Sequence, residues 1–425
     1  MEDDENDYEE DEDGDIIDIK KKEATTDYAK LAKAIGEITD NGIKISLVDI
    51  NRSNYGFEPD VENNQILFGM KALSGINAPT IDEIIGQRPY RSLKEFLNKC
   101  SDLKKPQIIT LIKSGAFDNF NYGEIKDSRR AAMVYYISQI CDKKTKLTLQ
   151  NVNGLIEHNL IPNNLNKEKN IFILNKQFKK VFKKGNYYHA GDTDILEKIC
   201  KEDDLEVINN TICISKINWE KFYKSSMEKI KNWLKQNQEQ ILSEYNWLLF
   251  KEVWDKYASG NISKWEMDSL CFYYHNHELS KVNKSKYGII DFNSLSRDPI
   301  IERVWRNIPI YKLFKIAGTV IAKNDARHSI SLLTTSGVVN VKFSKDYYAR
   351  LNRQISEMGE DGKKHIKEKG WLTRGTKLLI TGYRNEDTFR SKNYRSNGGH
   401  QVYLIENVYD NGNIDLEHSR YGEQD

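Results

Sequence analysis

The chain has 425 residues, 39% hydrophobic and 30% charged, which is too long for one ordinary domain of about 100–200 residues and too rich in apolar groups for a low-complexity chain. Its net charge of +1 conceals an asymmetry: the first 18 residues, MEDDENDYEEDEDGDIID, hold 12 acids and no base, leaving 51 acids against 64 bases and +13 over residues 19–425. Five cysteines, none paired at two-to-four-residue spacing, indicate neither a disulfide framework nor a zinc site.

No signal peptide and no apolar run of about 18 residues is present, so the expected location is the cytoplasm and no membrane partner is expected. The basic body suits a polyanionic partner, although a lysine excess also arises as plain solvated surface.

Taken in chain order, residues 1–23 form an acidic tail expected to be disordered, because like charges repel and few apolar groups can be buried. Its DGDIIDIK segment has the acids of a two-magnesium cluster but not the surrounding strands that would hold them rigid. The tail is also placed to act as a duplex mimic over the basic body.

Residues 24–127 begin with TTDYAKLAKAIGEITDN, in which Tyr28, Leu31, Ala34, Ile35 and Ile38 fall at helical spacing before Gly42. IKISLVDIN then reads as a short strand. From 66 to 118 the pattern is repeatedly helix, tight turn, helix, punctuated by Gly75, Pro79, Pro89, Pro106 and Gly115.

Such hairpins leave backbone amides unpaired at the start of a helix, where the helix dipole also favours an anion such as a DNA phosphate. In the first unit Gly75, Ile76 and Asn77 form the turn and Lys71 adds charge; in the second, KKPQIITLIKSGAF offers Lys104, Lys105 and Lys113. Any tight connection between two helices also needs such a glycine, so the residues alone leave both readings open.

Residues 128–305 are a mixed connecting region. RRAAMVYYISQIC and the stretch from Trp219 to Tyr257 read as amphipathic helices, and NIFILNKQFKKVFKKGNYYHAGD as strand and loop. His275 and His277 in YYHNHELS, read as helical, would face different directions, which disfavours a metal site. No nucleophile elbow, phosphate-cradling lysine loop or zinc-protease motif occurs.

Residues 306–410 change to alternating strands around one helix, the pattern of a five-stranded oligonucleotide-binding (OB) barrel, and residues 411–425 form a polar tail. The candidate single-strand-binding loops are Lys323–His328, with Lys323 and Arg327, and Arg384–His400, with Arg384, Arg390, Lys392 and Arg395. Phe343, Tyr383, Phe389 and Tyr403 are the candidate stacking aromatics, with core filling as their alternative role.

Three stretches in order resemble the C-terminal half of the bacterial and phage C-family DNA polymerases, the alpha subunit of DNA polymerase III. They are NGIKISLVDINRSNYGF with ILFGMKALSGINAPTIDEIIGQRPYRSLKEFL and LIKSGAFDNF; WEMDSLCFYYHNHELSK; and IAGTVIAKNDARHSISLLTTSGVVNVKFS. The first is similar to the end of the family's fingers and its tandem helix-hairpin-helix domain, the second to a structural signature ending in HPL, the third to its OB domain. This implies an α+β multidomain chain in which a tandem helix-hairpin-helix domain precedes a five-stranded OB barrel.

Asn77 departs from the family's second hairpin glycine, and HNHEL from its HPL. The palm, with its three metal-binding aspartates, has no counterpart here. The resemblance therefore implies the DNA-binding portion of a split replicative polymerase. It would grip duplex and single-stranded DNA, bind no cofactor itself, and work with a palm-bearing chain that holds Mg2+ for nucleotidyl transfer.

A sliding clamp or other replisome protein is a further expected partner, although QEQILSEY, the nearest stretch to a clamp-binding peptide, reads better as a helix face. The alternative is a stand-alone DNA-binding or replication-factor-binding protein derived from a polymerase. The start at Met1 with a distinctive tail favours a separate reading frame over a fragment.

Overall fold

A computed structural model describes residues 9–10, 16–17, 27–123, 126–180, 183–189, 194–359, 362–394 and 398–418. The expectations for the acidic tail and for Arg395 fall outside them, apart from the backbone of Glu9–Glu10 and Ile16–Ile17, which pair antiparallel. The chain divides into two units, residues 1–133 with 260–425, and residues 134–259. The expected connecting region 128–305 is thus split: its middle forms a compact unit, while its last part belongs with the flanking modules.

In the first unit, helix α1 (Tyr28–Asp40) is capped by Asp27, whose carboxylate accepts from the amides of Ala29 and Lys30. The expected strand shrinks to Lys44–Ile45, which pairs parallel to Gln65–Leu67, itself antiparallel to Glu58–Asp60. Three short helices follow: α2 (Ala78–Gly86), α3 (Leu93–Lys99) and α4 (Lys105–Lys113).

Their inner faces place Ile81, Ile84, Phe96, Leu111 and Ile112 almost wholly out of water, with Phe96 edge-on against the buried Phe117. Burial of that order stabilises by roughly 1.5–3 kcal/mol per large side chain, far more than helices this short gain from propensity. Helix α5 (Ser128–Ile140) follows.

The second unit contains a four-stranded antiparallel sheet and the helices α6 (Asn166–Lys180), α7 (Lys216–Gln236) and α8 (Gln238–Tyr257). NIFILNKQFKK, expected as strand, is therefore helix: Ile171, Leu174 and Phe178 recur at three- and four-residue spacing and pack on Trp219 and Ile230. A short apolar run does not separate a strand from a buried helix face by itself. QILSEY lies in α8 with Ile241 and Tyr245 buried, as a helix face requires.

Back in the first unit, α9 (Ile262–Leu270) precedes the barrel. The barrel strands are β1 (Phe314–Asn324), β2 (Ser329–Thr334), β3 (Gly337–Lys342), β4 (Lys377–Asn385) and β5 (Thr388–Ser391), with helix α10 (Lys345–Asn352) between β3 and β4. Strand β1 pairs with β2, β2 with β3, β3 parallel with β5, β5 with β4, and β4 with β1, which closes the five-stranded mixed barrel.

Its interior holds Ile316, Val320, Ile330, Leu332, Val341, Leu378, Ile380 and Phe389. Strands β6 (Val402–Val408) and β7 (Ile414–Glu417) extend the sheet from β4, so it runs past residue 410 into the segment expected as polar tail. The α+β architecture of a hairpin module followed by a five-stranded barrel is as the sequence indicates.

Candidate nucleic-acid interface

At the first hairpin, Gly75 has φ +77° and would place a Cβ in open space, so glycine is required by the backbone rather than by crowding. Gly75 is exposed, and its amide makes no hydrogen bond among the described residues. Asn77 caps α2: its side-chain oxygen accepts from the amide of Thr80 at 3.1 Å and from the Thr80 hydroxyl at 2.6 Å. The asparagine that stands in place of the family's glycine therefore takes over one orphan amide itself. Ile76 points inward, 8% exposed, and offers the turn only backbone.

The second hairpin is joined to the first. Gln107 accepts from the Lys104 amide at 2.9 Å through its oxygen and donates to the Thr80 hydroxyl at 2.6 Å through its nitrogen. Lys104 and Lys105 are exposed beside this link, and Lys71, also exposed, lies with its Nζ 5.0 Å from the Tyr55 ring centre.

Lys113 is different: its Nζ is 2.7 Å from Asp268 and its side chain is only 13% exposed, so it ties α4 to α9. A residue absent from the sequence reading joins the first turn, since Arg374 donates to the Ser74 hydroxyl at 2.8 Å and stacks over Tyr28.

Behind the hairpins, Arg129 donates to Asp118 at 2.7 Å and to Glu266 at 3.1 Å, and Glu266 also accepts from the amides of Tyr274 and His275. Burial pushes the Asp118 carboxyl up, opposed by Arg129. His275 and His277 lie outside any α-helix, contrary to the expectation. His277 Nδ1 accepts from the Leu279 amide at 3.0 Å and Nε2 donates to the Leu333 carbonyl at 2.9 Å, a pattern that a neutral ring satisfies. Burial holds its pKa down at about 4. No group of three or more His, Cys, Asp or Glu is arranged for a metal among the described residues.

On the barrel, the β1–β2 loop spans residues 325–328, close to the expected position, with Arg327 exposed and Lys323 donating to Asn352 at 2.8 Å. The β4–β5 loop requires correction. It is only Glu386–Asp387, because Arg384–His400 contains β5 itself and the link to β6.

Arg384 faces inward, donating to the carbonyls of Phe292, Leu295 and Glu386. Phe343 and Phe389 are core residues at 5% and 0% exposure. These three are occupied structurally rather than presented to a ligand.

Tyr383 and Arg390 stand side by side across β4 and β5 on the outer face. The Tyr311 ring lies tilted against Tyr383 with centres 4.6 Å apart and its amide donates to the Tyr394 hydroxyl, with Lys392 5.9 Å from the Tyr394 ring. Next to them a cleft of about 510 Å³ is lined by Lys312, Phe314, Lys315, Asn393, His400 and Tyr403. The alternation of aromatic and lysine in YKLFK, residues 311–315, was the available signal for this surface.

The fold and these surfaces define a class: a tandem helix-hairpin-helix module beside a closed OB-type barrel, each presenting cations to solvent. A helix-hairpin-helix motif family model matches residues 42–132. Over 417 residues the chain is 38% identical to the probable DNA polymerase YorL of Bacillus subtilis (strain 168), and likewise to a DNA-directed DNA polymerase of Bacillus phage SPbeta. Each alignment covers 94% of this chain and 31% of the relative, so the chain spans about a third of their length.

The DNA polymerase III subunit alpha of Helicobacter pylori (strain ATCC 700392 / 26695) is 31% identical over 124 residues, 26% of this chain and 10% of that protein. The chain is thus polymerase-like, similar over most of its length to a part of DNA polymerases and over a shorter stretch to DNA polymerase III subunit alpha.

Proposed function

We propose that this region serves DNA replication as the DNA-gripping portion of a C-family polymerase, with catalysis supplied by a palm in another chain. The observation that carries the reading is the first hairpin turn. The exposed Gly75 forms a positive-φ corner four residues after the exposed Lys71, and hydrogen bonds through Asn77, Thr80 and Gln107 tie this turn to the second with Lys104 and Lys105.

Such a surface takes the phosphates of a duplex without reading bases. The outer face with Tyr383, Arg390 and Lys392 takes single-stranded template by stacking and charge. Two magnesium ions would belong to the palm, whose carboxylates would hold them during nucleotidyl transfer.

Primer extension by material that co-purifies with this tagged chain, compared with the chain alone, tests the reading. Extension only in the co-purified sample supports a palm-bearing partner. Inactivity in both, with DNA binding kept, replaces it with a stand-alone binding protein.

A further inference from the structure

Before the barrel, Ile301–Trp305 and Ile308–Tyr311 form a two-stranded antiparallel hairpin that pairs with no other strand among the described residues. Residues 301–308 are all exposed, including Ile301, Val304, Ile308 and Trp305, the last at 56%. Arg306 and Asn307 turn the tip with φ +49° and +62°, and the Arg306 guanidinium lies 4.5 Å from the Trp305 ring centre. A lone two-stranded hairpin is at best marginally stable in water, and an indole left in solvent at its tip contributes nothing to the core.

The register decides what shares a face. Trp305 lies directly opposite Ile308 and Arg303 opposite Ile310, while Val304 and Pro309 occupy the other side. One face therefore combines an indole, two isoleucines and an arginine.

At its base the hairpin runs into the barrel's aromatic and basic surface. Tyr311 is its last residue, its ring tilted against Tyr383 beside Arg390 and its amide bonded to Tyr394 beside Lys392. The base of the hairpin thus adjoins the barrel's aromatic and basic surface through Tyr311, on the side of Val304 and Pro309, and the tip carries Trp305 and Arg306 beyond it.

We infer that the Ile301–Tyr311 hairpin is a single-strand-binding arm, with Trp305 stacking on a base and Arg306 meeting the adjoining phosphate, so that the nucleotide path extends beyond the barrel. The occupant is single-stranded nucleic acid rather than protein, because the tip pairs an exposed indole with a guanidinium and the base of the hairpin adjoins the barrel's cations Arg390 and Lys392. This rests on the reading that the barrel face binds single strands and adds a separate element to it.

The test is binding of the full chain to fluorescein-labelled dT20 by anisotropy at low salt, for wild type, Trp305→Ala, Arg306→Ala and Arg390→Ala/Lys392→Ala. Stacking of one base on an aromatic ring predicts that Trp305→Ala weakens dT20 binding by about five-fold or more. Arg306→Ala weakens it and lowers its salt dependence. Duplex binding through the helix hairpins stays unchanged in both.

If Trp305→Ala and Arg306→Ala bind dT20 like wild type while Arg390→Ala/Lys392→Ala is impaired, the arm is overturned and the barrel reading stands; the hairpin then serves a protein. If wild type itself binds no dT20, the barrel reading fails and the arm with it.

Discussion

Replacing Glu266 by glutamine tests how the hairpin module is held to the segment before the barrel. Glu266 is 0% exposed and Arg129 3%. One carboxylate oxygen meets Arg129 at 3.1 Å and His275 Nδ1 at 2.5 Å, and the other accepts the amides of Tyr274 and His275, each at 3.0 Å. An amide retains only one acceptor oxygen. Either the two backbone amides or the guanidinium must face an NH2 group.

Removing one partner of a buried pair costs about 3–5 kcal/mol. At about 1.4 kcal/mol per power of ten, protection of the α9 and α4 amides in native-state hydrogen exchange should fall by two to nearly four powers of ten. Exchange is the suitable assay because a chain of two units need not melt in one step. A loss of protection below threefold in Glu266→Gln refutes the reasoning.

Asn77→Ala should destabilise α2 by about 1 kcal/mol through loss of its cap, whereas Asn77→Gly should cost only a few tenths, as urea denaturation can measure. Lys71→Ala/Lys104→Ala/Lys105→Ala should weaken duplex binding and reduce the slope of log affinity against log salt by about 0.9 for each phosphate no longer neutralised; an unchanged slope places the duplex elsewhere. His277 is held neutral in the fold with its pKa near 4, so between about pH 6.5 and 4 the unfolded chain takes up a proton that the native chain does not. Stability therefore falls as pH drops through that window, by an upper limit of about 3 kcal/mol, and the urea midpoint of His277→Gln should depend less steeply on pH there. In the 134–259 unit, a Cβ at Gly154 would lie 2.0 Å from the Tyr245 hydroxyl, so Gly154→Ala should cost that unit about 1–3 kcal/mol while leaving duplex affinity intact.

Local signals decided much of this protein. Period-two apolar alternation and a single intervening helix specify the barrel, because a strand with one face buried fixes which side chains point inward. The glycine and prolines between residues 66 and 118 specify the short helices, because positive φ and a missing amide act on the backbone wherever the chain lies. The ordered motifs pointed to the polymerase family before any tertiary packing was known.

Only the tertiary structure decided which charged and aromatic residues face solvent. Arg384 and Phe343 look like ligand-binding residues in the sequence, yet one bonds three carbonyls and the other fills the core. Arg374 reaches Ser74 from 300 positions away, and Tyr311 meets Tyr394 only because the barrel closes. Residue type and spacing act over a few residues, whereas burial and long-range pairing depend on packing by elements far apart in the chain, and these determined which cations the surface retains.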